Sequence, residues 1–412
     1  MEVKEGYKKT EVGVIPEDWE VKCIGDFCEL TSSKRIFEHD YVSVGVPFYR
    51  GKEISMLLEN KPITEPYYIA ESKYESIRRR WGAPMKGEIL ITAVGTLCNV
   101  YLIPNDEKFY FKDGNLIWLR NISRVDFRFL VYQIDNFKKE IIDKAIGSSQ
   151  KALTMVVLKK QLIPLPLTLS EQTAIATVLS DTDNLIQALE KKIAKKELIK
   201  KGAMQELLEP KEGWEVKALG EIILSNQLGG NYQNTEVVSK SPLIKMGNLG
   251  RGKINLSKLE YIPNNIIPNQ NDILKYGDVI LNTRNTLDLV GKVSIWRNEL
   301  PVAYFNSNIM RLKFKEQFVS SNFYMNYAFN TKKIISQLRN IATGTTSVAA
   351  IYTRDLQNIN FDIPPLEEQT HIAQILSDMD NEIELLQEKL SKYKQLKQGL
   401  MQELLTGRIR LV

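Results

Sequence analysis

With 412 residues, 43% of them hydrophobic and 25% charged, the chain has room for two or three domains, each with its own core, and the profile of a globular protein. No apolar run approaches the roughly 18 residues that span a bilayer, and the opening MEVKEGYKKTEVGVIPEDW lacks a signal-peptide core, so a membrane class is excluded and a cytoplasmic location expected. Lys and Arg number 55 against 50 Asp and Glu, a net +5 that suits a polyanionic partner without requiring one.

In chain order, the first element is DWEVKCIGD around Trp19, and it returns as GWEVKALGE around Trp214, 195 residues later. PFYRGKEI from Pro47 returns as PLIKMGNL from Pro242, and KGEILITAVGTL from Lys86 as YGDVILNTRNTL from Tyr276. EILITAVG and DVILNTR are short apolar runs opened by Gly-acid turns, and VSIW and IMRLKF alternate at period two, so strands are expected. FRFLVYQIDNFKKEIIDKA and FYMNYAFNTKKIISQLR read as amphipathic helices, each followed by a small-residue loop, GSSQ at 147–150 and GTTS at 344–347.

The strongest repeat is EQTAIATVLSDTDNLI at 171–186 against EQTHIAQILSDMDNEI at 368–383, an offset of 197 that persists without a gap to the paired MQELL at 204–208 and 401–405. Ile372, Leu376, Met379, Ile383, Leu386 and Leu390 alternate steps of four and three, as a coiled-coil seam does, and the offset places Ile175, Leu179, Ile186, Leu189 and Ile193 on the matching seam. Ser170 is the expected cap of the first helix, with Glu171 favouring its dipole; Glu367 and Glu368 serve the second after Pro364 and Pro365. Because EPKEG leads directly from the first helix to Trp214, the second helix can meet the first only by running back along it. The expected fold is α+β: two similar modules at 1–165 and 210–362, and helical spacers at 166–209 and 363–412, antiparallel, pseudo-twofold and near-circular.

Catalytic and metal chemistry find little support. There is no GxGxxG, GxxxxGK[ST] or GxSxG, and neither His39 nor His371 has a partner motif. Cys23, Cys28 and Cys98 form no CxxC pair. DIPPL at 362–366 resembles the D-P-P-Y of adenine-N6 methyltransferases, but Ile363 interrupts it, and its twin LPLTL at 165–169 marks it as a helix entry. The carboxylates of SDTDN and SDMDN, two apart on a helix, point to different faces and lack an EF-hand's glycine turn. No metal or cofactor is expected.

Basic and amide residues are the better candidates. The first module offers Arg50, Lys52, Arg78, Arg79, Arg80 and the loop residues Ser148, Ser149, Gln150 and Lys151. The second offers Lys245, Arg251, Lys253, Asn282, Thr283, Arg284 and Asn285, with Thr345, Thr346 and Ser347 in its loop. Arg matches guanine edges and Asn or Gln adenine, while small hydroxyl loops let backbone amides reach phosphates. Any one of them alone is more often a solvated surface residue than a DNA contact; their recurrence in loops of both modules is what favours DNA.

YKKTEVGVIPEDWEV at the amino end, the entries PLTLSEQTAIATVLSDTDNLI and IPPLEEQTHIAQILSDMDNEI, the MQELL pair and the closing LLTGRIRLV together resemble the specificity subunit of a type I DNA restriction-modification enzyme, over the whole chain. The resemblance implies a non-catalytic subunit with two target-recognition domains that read the halves of a split double-stranded DNA site. It implies docking of two modification subunits and, with them, restriction subunits, whose methyl donor and ATP-driven cleavage are not this chain's. A structural coiled-coil adaptor and a methyltransferase with a fused reader are the alternatives. Residues 171–208 would form a helix of roughly 57 Å, and modules near its ends would lie about one to one and a half DNA turns apart at roughly 34 Å per turn, so a gapped site is expected.

Overall fold

The computed structural model describes residues 4–59, 61–147 and 151–411. It divides into two compact units, one of Met1–Leu189 with Lys389–Val412 and one of Glu190–Glu388. Two helices of 39 residues, Leu169–Leu207 and Leu366–Leu404, run through both, and their ends are displaced by the same 197 positions that the sequence repeat shows.

In the first unit a four-stranded antiparallel sheet has the order Glu29–Thr31, Leu116–Arg120, Ile89–Thr92, Val100–Leu102. In the second the same order is built by Ile223–Leu228, Ile309–Phe314, Val279–Asn282 and Val293–Ile295. The central strands ILIT and VILN are buried at every position, which explains why they read as continuous apolar runs. Each is launched by a glycine at φ +84, Gly87 or Gly277, followed by an acid that closes the turn. Glu88 accepts from Met85 N at 3.0 Å and Trp118 Nε1 at 2.8 Å; Asp278 accepts from Lys275 N at 2.9 Å and Arg311 Nη1 at 3.0 Å.

A second sheet repeats too. Val46–Tyr49 lies between Tyr67–Ile69 and the parallel Tyr110–Phe111, as Pro242–Ile244 lies between Glu260–Tyr261 and the parallel Tyr304–Phe305. The two modules diverge in the connections that leave these strands. The first inserts helices Gly51–Leu58 and Glu71–Trp81, where the second has short 3-10 turns at Met246–Asn248 and Gln270–Asp272.

The amphipathic stretches expected as single helices are each broken in two, at Phe127–Asn136 and Lys138–Asp143, and at Asn322–Phe329 and Lys332–Asn340. In the second, Thr331 leaves the helical conformation and its side chain accepts from Ile334 N, starting a new helix.

Within each unit the long helices pack antiparallel. In the first, Ile175 and Leu179 join the module's core together with Leu400, Met401, Leu404 and Leu405, and Lys397 reaches Asp183 at 2.7 Å. In the second, Ile372 and Leu376 do so with Met204, Leu207 and Leu208, while Lys200 meets Asp380 at 2.6 Å and Lys196 meets Glu382 at 2.7 Å. The outer seam residues thus anchor the modules, each contributing about 1.5–3 kcal/mol relative to exposure. Leu189, Ile193 and Ile383 are buried further along, and Ile186, Met379, Leu386 and Leu390 half-buried.

The helix entries are fixed alike. Gln172 and Gln369, both buried, donate to Pro166 and Pro364 carbonyls at 2.9 Å and accept from Asp126 N and Ser320 N at 2.9 and 3.1 Å. The cap of the first helix is Thr168, whose hydroxyl accepts from Glu171 N at 3.2 Å; Ser170 already lies inside the helix. The chain's ends meet in the first unit, where Tyr7 donates to the Gly407 carbonyl at 3.2 Å and Arg410 forks onto Asp18 at 2.9 and 2.8 Å.

Candidate nucleic-acid interface

In the second module the buried strand Val279–Asn282 runs out into Thr283, Arg284 and Asn285. Arg284–Asn285 pairs with Ala349–Ala350, which pairs in turn with Thr343–Gly344, so two candidate clusters about sixty residues apart share one three-stranded ribbon. Leu287 N donates to Thr346 O at 3.1 Å and ties their loops together.

The residues of this ribbon have different duties. Asn282 is fully buried, donates from Nδ2 to Leu289 O at 2.9 Å and accepts Lys292 N at 2.7 Å, closing the base of the 283–291 loop. Thr283, also buried, donates from N and Oγ1 to Asn308 O at 2.8 and 3.1 Å. Arg284 is exposed and its side chain has no hydrogen-bond or ion-pair partner among the described residues. The Asn285 Oδ1 accepts Thr286 N at 2.9 Å. Thr345, Thr346 and Ser347 are exposed in a tight turn closed by Thr345 N to Val348 O at 2.8 Å, where Gly344 has φ +133 and a Cβ would stand 2.3 Å from Val348 O. Lys245 is drawn onto Glu260 at 2.9 Å, whereas Arg251 is exposed with no ion-pair partner among the described residues.

The first module repeats the framework with other side chains. Thr92 takes the place of Asn282: its hydroxyl donates to Thr96 O and accepts Asn99 N at 2.9 Å. Val94 and Gly95 stand where Arg284 and Asn285 do. Val94 bridges to Ala152, next to the exposed Lys151; Ser148, Ser149 and Gln150 lie outside the described residues.

Positive charge in this module comes from its inserted helices instead. Arg50 is half-buried, its guanidinium forked onto Glu53 at 3.0 and 2.5 Å and lying 4.4 Å over the Tyr67 ring. The Glu53 hydrogen bond holds the Arg50 pKa above its ordinary value, so this fork is already occupied. Lys52 is exposed beside it. Arg78, Arg79 and Arg80 are exposed in the last turn of Glu71–Trp81, where cations complement the helix dipole. Arg80 and Lys34 lie 5.9 and 5.3 Å from the exposed Trp81 ring. Lys34 had no signal in the sequence: it reaches this patch only through the fold.

The SDTDN and SDMDN carboxylates are also placed. Asp183 and Asp380 accept from Tyr132 and Tyr327, both at 2.8 Å, while Asp378 accepts from Gln374 and Asp181 is exposed.

A family model described as the type I restriction modification DNA specificity domain matches residues 16–199 and again 211–395. The type I restriction enzyme MjaX specificity subunit of Methanocaldococcus jannaschii is 30% identical, over 99% of this chain and 97% of that one. The MjaVIII specificity subunit of the same organism is 27% identical at the same coverage. Among solved structures, the S subunit of a type I restriction-modification system from M. genitalium superposes with a TM-score of 0.62 at 15% identity, covering 98% of both chains. A chain from a study of complex assembly and conformational transition in a type I R-M system gives 0.54 at 17%, covering 96% of this chain and 99% of that one. At these identities the solved structures speak for the fold.

Proposed function

We propose, from the premise that the chain belongs to the type I restriction modification DNA specificity domain family, that its two modules each read one half of an asymmetric, gapped DNA site while the long helices set the spacer. The chain is a specificity subunit with two target-recognition domains. The observation that carries the split-site reading is the paired loop framework: Asn282 and Thr92 close the same loop in the two modules, but the equivalent positions beyond them are Arg284-Asn285 in one and Val94-Gly95 in the other. A shared frame with exchanged side chains suits two readers of different half-sites.

Arg284, Asn285, the Thr345–Ser347 turn and Arg251 are the base-reading and phosphate-contacting candidates of the second module. Lys52, Lys151 and Arg78–Arg80 are those of the first. Asn282 and Thr283, with polar groups committed to the loop, act by positioning; Arg50 and Lys245 first have to leave Glu53 and Glu260.

Two modification subunits dock on the long helices, and the restriction subunits join through them. Exposed leucines and isoleucines support this role: Leu185 and Ile199 return to nearly one side of the first helix after about four turns, and Leu385 and Leu396 to one side of the second after about three. The subunit itself is non-catalytic and works in the cytoplasm with DNA. Purified alone, it transfers no methyl group; with modification subunits it directs adenine methylation to a gapped site, read by sequencing modified bases. Methyl transfer by the chain alone, or methylation at an ungapped site, counts against the proposal.

A further inference from the structure

Asp380, on the second long helix, is buried and has three cations around it. Lys200 donates to Oδ1 at 2.6 Å, and Lys253 Nζ lies 3.3 Å from the same oxygen. Arg297 Nη2 lies 3.7 Å from Oδ2, which already accepts from Tyr327 at 2.8 Å. The duplicated Asp183 meets Tyr132 and, among the described residues, the single cation Lys397. Duplication therefore accounts for tyrosine, aspartate and one lysine in each unit, but not for Lys253 and Arg297. The strand Val293–Ile295 continues as Trp296 and Arg297, whereas its counterpart Val100–Leu102 continues as Ile103 and Pro104.

One carboxylate does not satisfy these extra donors. Arg297 Nη1 reaches Gly252 O at 3.1 Å, but Nη2 is buried without an acceptor, and Lys253 Nζ forms no hydrogen bond among the described residues. An unpaired guanidinium N–H is unfavourable in such a place. Both cations line a cleft of about 670 Å³. Tyr276, 62% exposed, and Phe323, with ring centroids 5.5 Å apart, form an aromatic wall there, and Gln374 and Ser377 on the long helix supply neutral polar groups. Three acids line the cleft: Asp380 itself, Glu299 and Glu384. Glu299 accepts Arg297's own backbone N–H at 2.8 Å, and Glu384 is exposed and solvent-screened.

Lys253 Nζ and Arg297 Nη2, neither hydrogen-bonded to Asp380, beside an aromatic wall in a cleft larger than a phosphate ion needs, match the chemistry of a phosphorylated planar ligand. We propose that this cleft binds a small phosphate ester of the nucleotide class, its phosphate oxygens taking Lys253 Nζ and Arg297 Nη2 and its ring lying on Tyr276.

The test is calorimetric titration of the full chain, without DNA, with the four ribonucleoside monophosphates and separately with inorganic phosphate. Saturable one-to-one binding of at least one nucleotide is expected. Lys253→Gln and Arg297→Gln should each weaken it about tenfold or more. Tyr276→Ala, at an exposed position that threatens no core, should weaken nucleotide binding while leaving inorganic phosphate unchanged. Thermal unfolding of each variant verifies that it is folded. No saturable binding at millimolar nucleotide, or equal binding by wild type and all three variants, overturns the proposal. So does the alternative that these cations hold a DNA phosphate: nucleotides then give no heat, and each charge removal lowers the salt slope of DNA binding by about one. With no DNA in the titration, its failure leaves the split-site reading standing, and the failure of that reading leaves the cleft standing.

Discussion

Tyr132 donates its hydroxyl to Asp183 at 2.8 Å, a single bond that ties the first module's sheet-covering helix to the first long helix. Tyr327 makes the duplicate bond to Asp380 at the same distance. Burial first, and the aspartate second, push both phenol pKa values well above 10, so both stay donors across the physiological range. The SDxDN motif thereby acquires a structural meaning: its second aspartate receives a module's tyrosine and the other helix's lysine.

Removing these hydroxyls should not cost the same. Asp380 has a side chain only 7% exposed, Asp183 one that is 39% exposed. Tyr327→Phe should cost about 1.5–3 kcal/mol, the range for a hydrogen bond to a charged group. Tyr132→Phe, at a solvent-screened carboxylate, should cost about 1 kcal/mol or less. Urea unfolding of the two variants measures the difference, and equal losses would show that burial of the acceptor does not control the bond.

Acid should act through Asp380. Burial opposes its charge, but Lys200, Tyr327 and Lys253 outweigh that and leave the carboxyl below the ordinary aspartate value of 3.8. A depressed folded-state pKa contributes stability that is fully present above the unfolded value and lost as pH falls through the folded one. Asp380→Asn should therefore melt well below wild type at neutral pH, because it leaves buried cations unpaired. The gap should narrow as pH drops below about 4, and thermal melts across that range would expose a constant gap if the charge were irrelevant.

In the second module's ribbon, reading and positioning separate by mutation. Arg284→Ala and Asn285→Ala should leave the melting temperature nearly unchanged, yet relax or alter one half-site, at about 1–3 kcal/mol for a lost bidentate base contact. Asn282→Ala should instead lower stability by about 1–3 kcal/mol, because Lys292 N and Leu289 O lose their partner. Methylation of a randomised half-site library, alongside melts, distinguishes the two. A uniform loss over all sequences with Arg284→Ala would reassign it to a phosphate.

How legible each feature is in the sequence depends on how local its signal is. The long helices show as a gapless offset because every seam contact recurs at fixed spacing, and Gln172 and Gln369 recur with them. The buried strands show because Gly87 and Gly277 punctuate unbroken apolar runs. Asn282 read as an exposed adenine-type side chain because its acceptor Leu289 O and donor Lys292 N belong to a loop whose closure no spacing rule announces. Arg50 read as a free fork although Glu53, one helical turn on, holds it. Thr168 displaced Ser170 as cap because the helix begins at Leu169, a shift within the usual uncertainty of helix ends. Lys34 beside Trp81, and Lys253 and Arg297 beside Asp380, are long-range meetings that only the assembled sheets create.

The proposed role of the helices as a ruler can be tested by length alone. Leu189 and Leu386 are equivalent positions under the 197-residue offset, so one heptad inserted after each preserves the seam phase in both helices. Each insertion adds about 10 Å of helix at 1.5 Å per residue, while Tyr132–Asp183, Tyr327–Asp380 and both modules' anchoring residues stay within unaltered segments. With modification subunits present, the heptad variant should methylate the same two half-sites across a longer unread spacer, within what DNA bending can absorb. A four-residue insertion after Leu189 alone is a stutter that moves the seam off its partner, and it should lower the melting temperature more than the paired heptads do. The measurement is methylation of a DNA library with fixed half-sites and variable spacer. If a folded, active heptad variant kept the wild-type spacer optimum, the long helices would not set the spacing, and flexible attachment of the modules would have to replace the ruler.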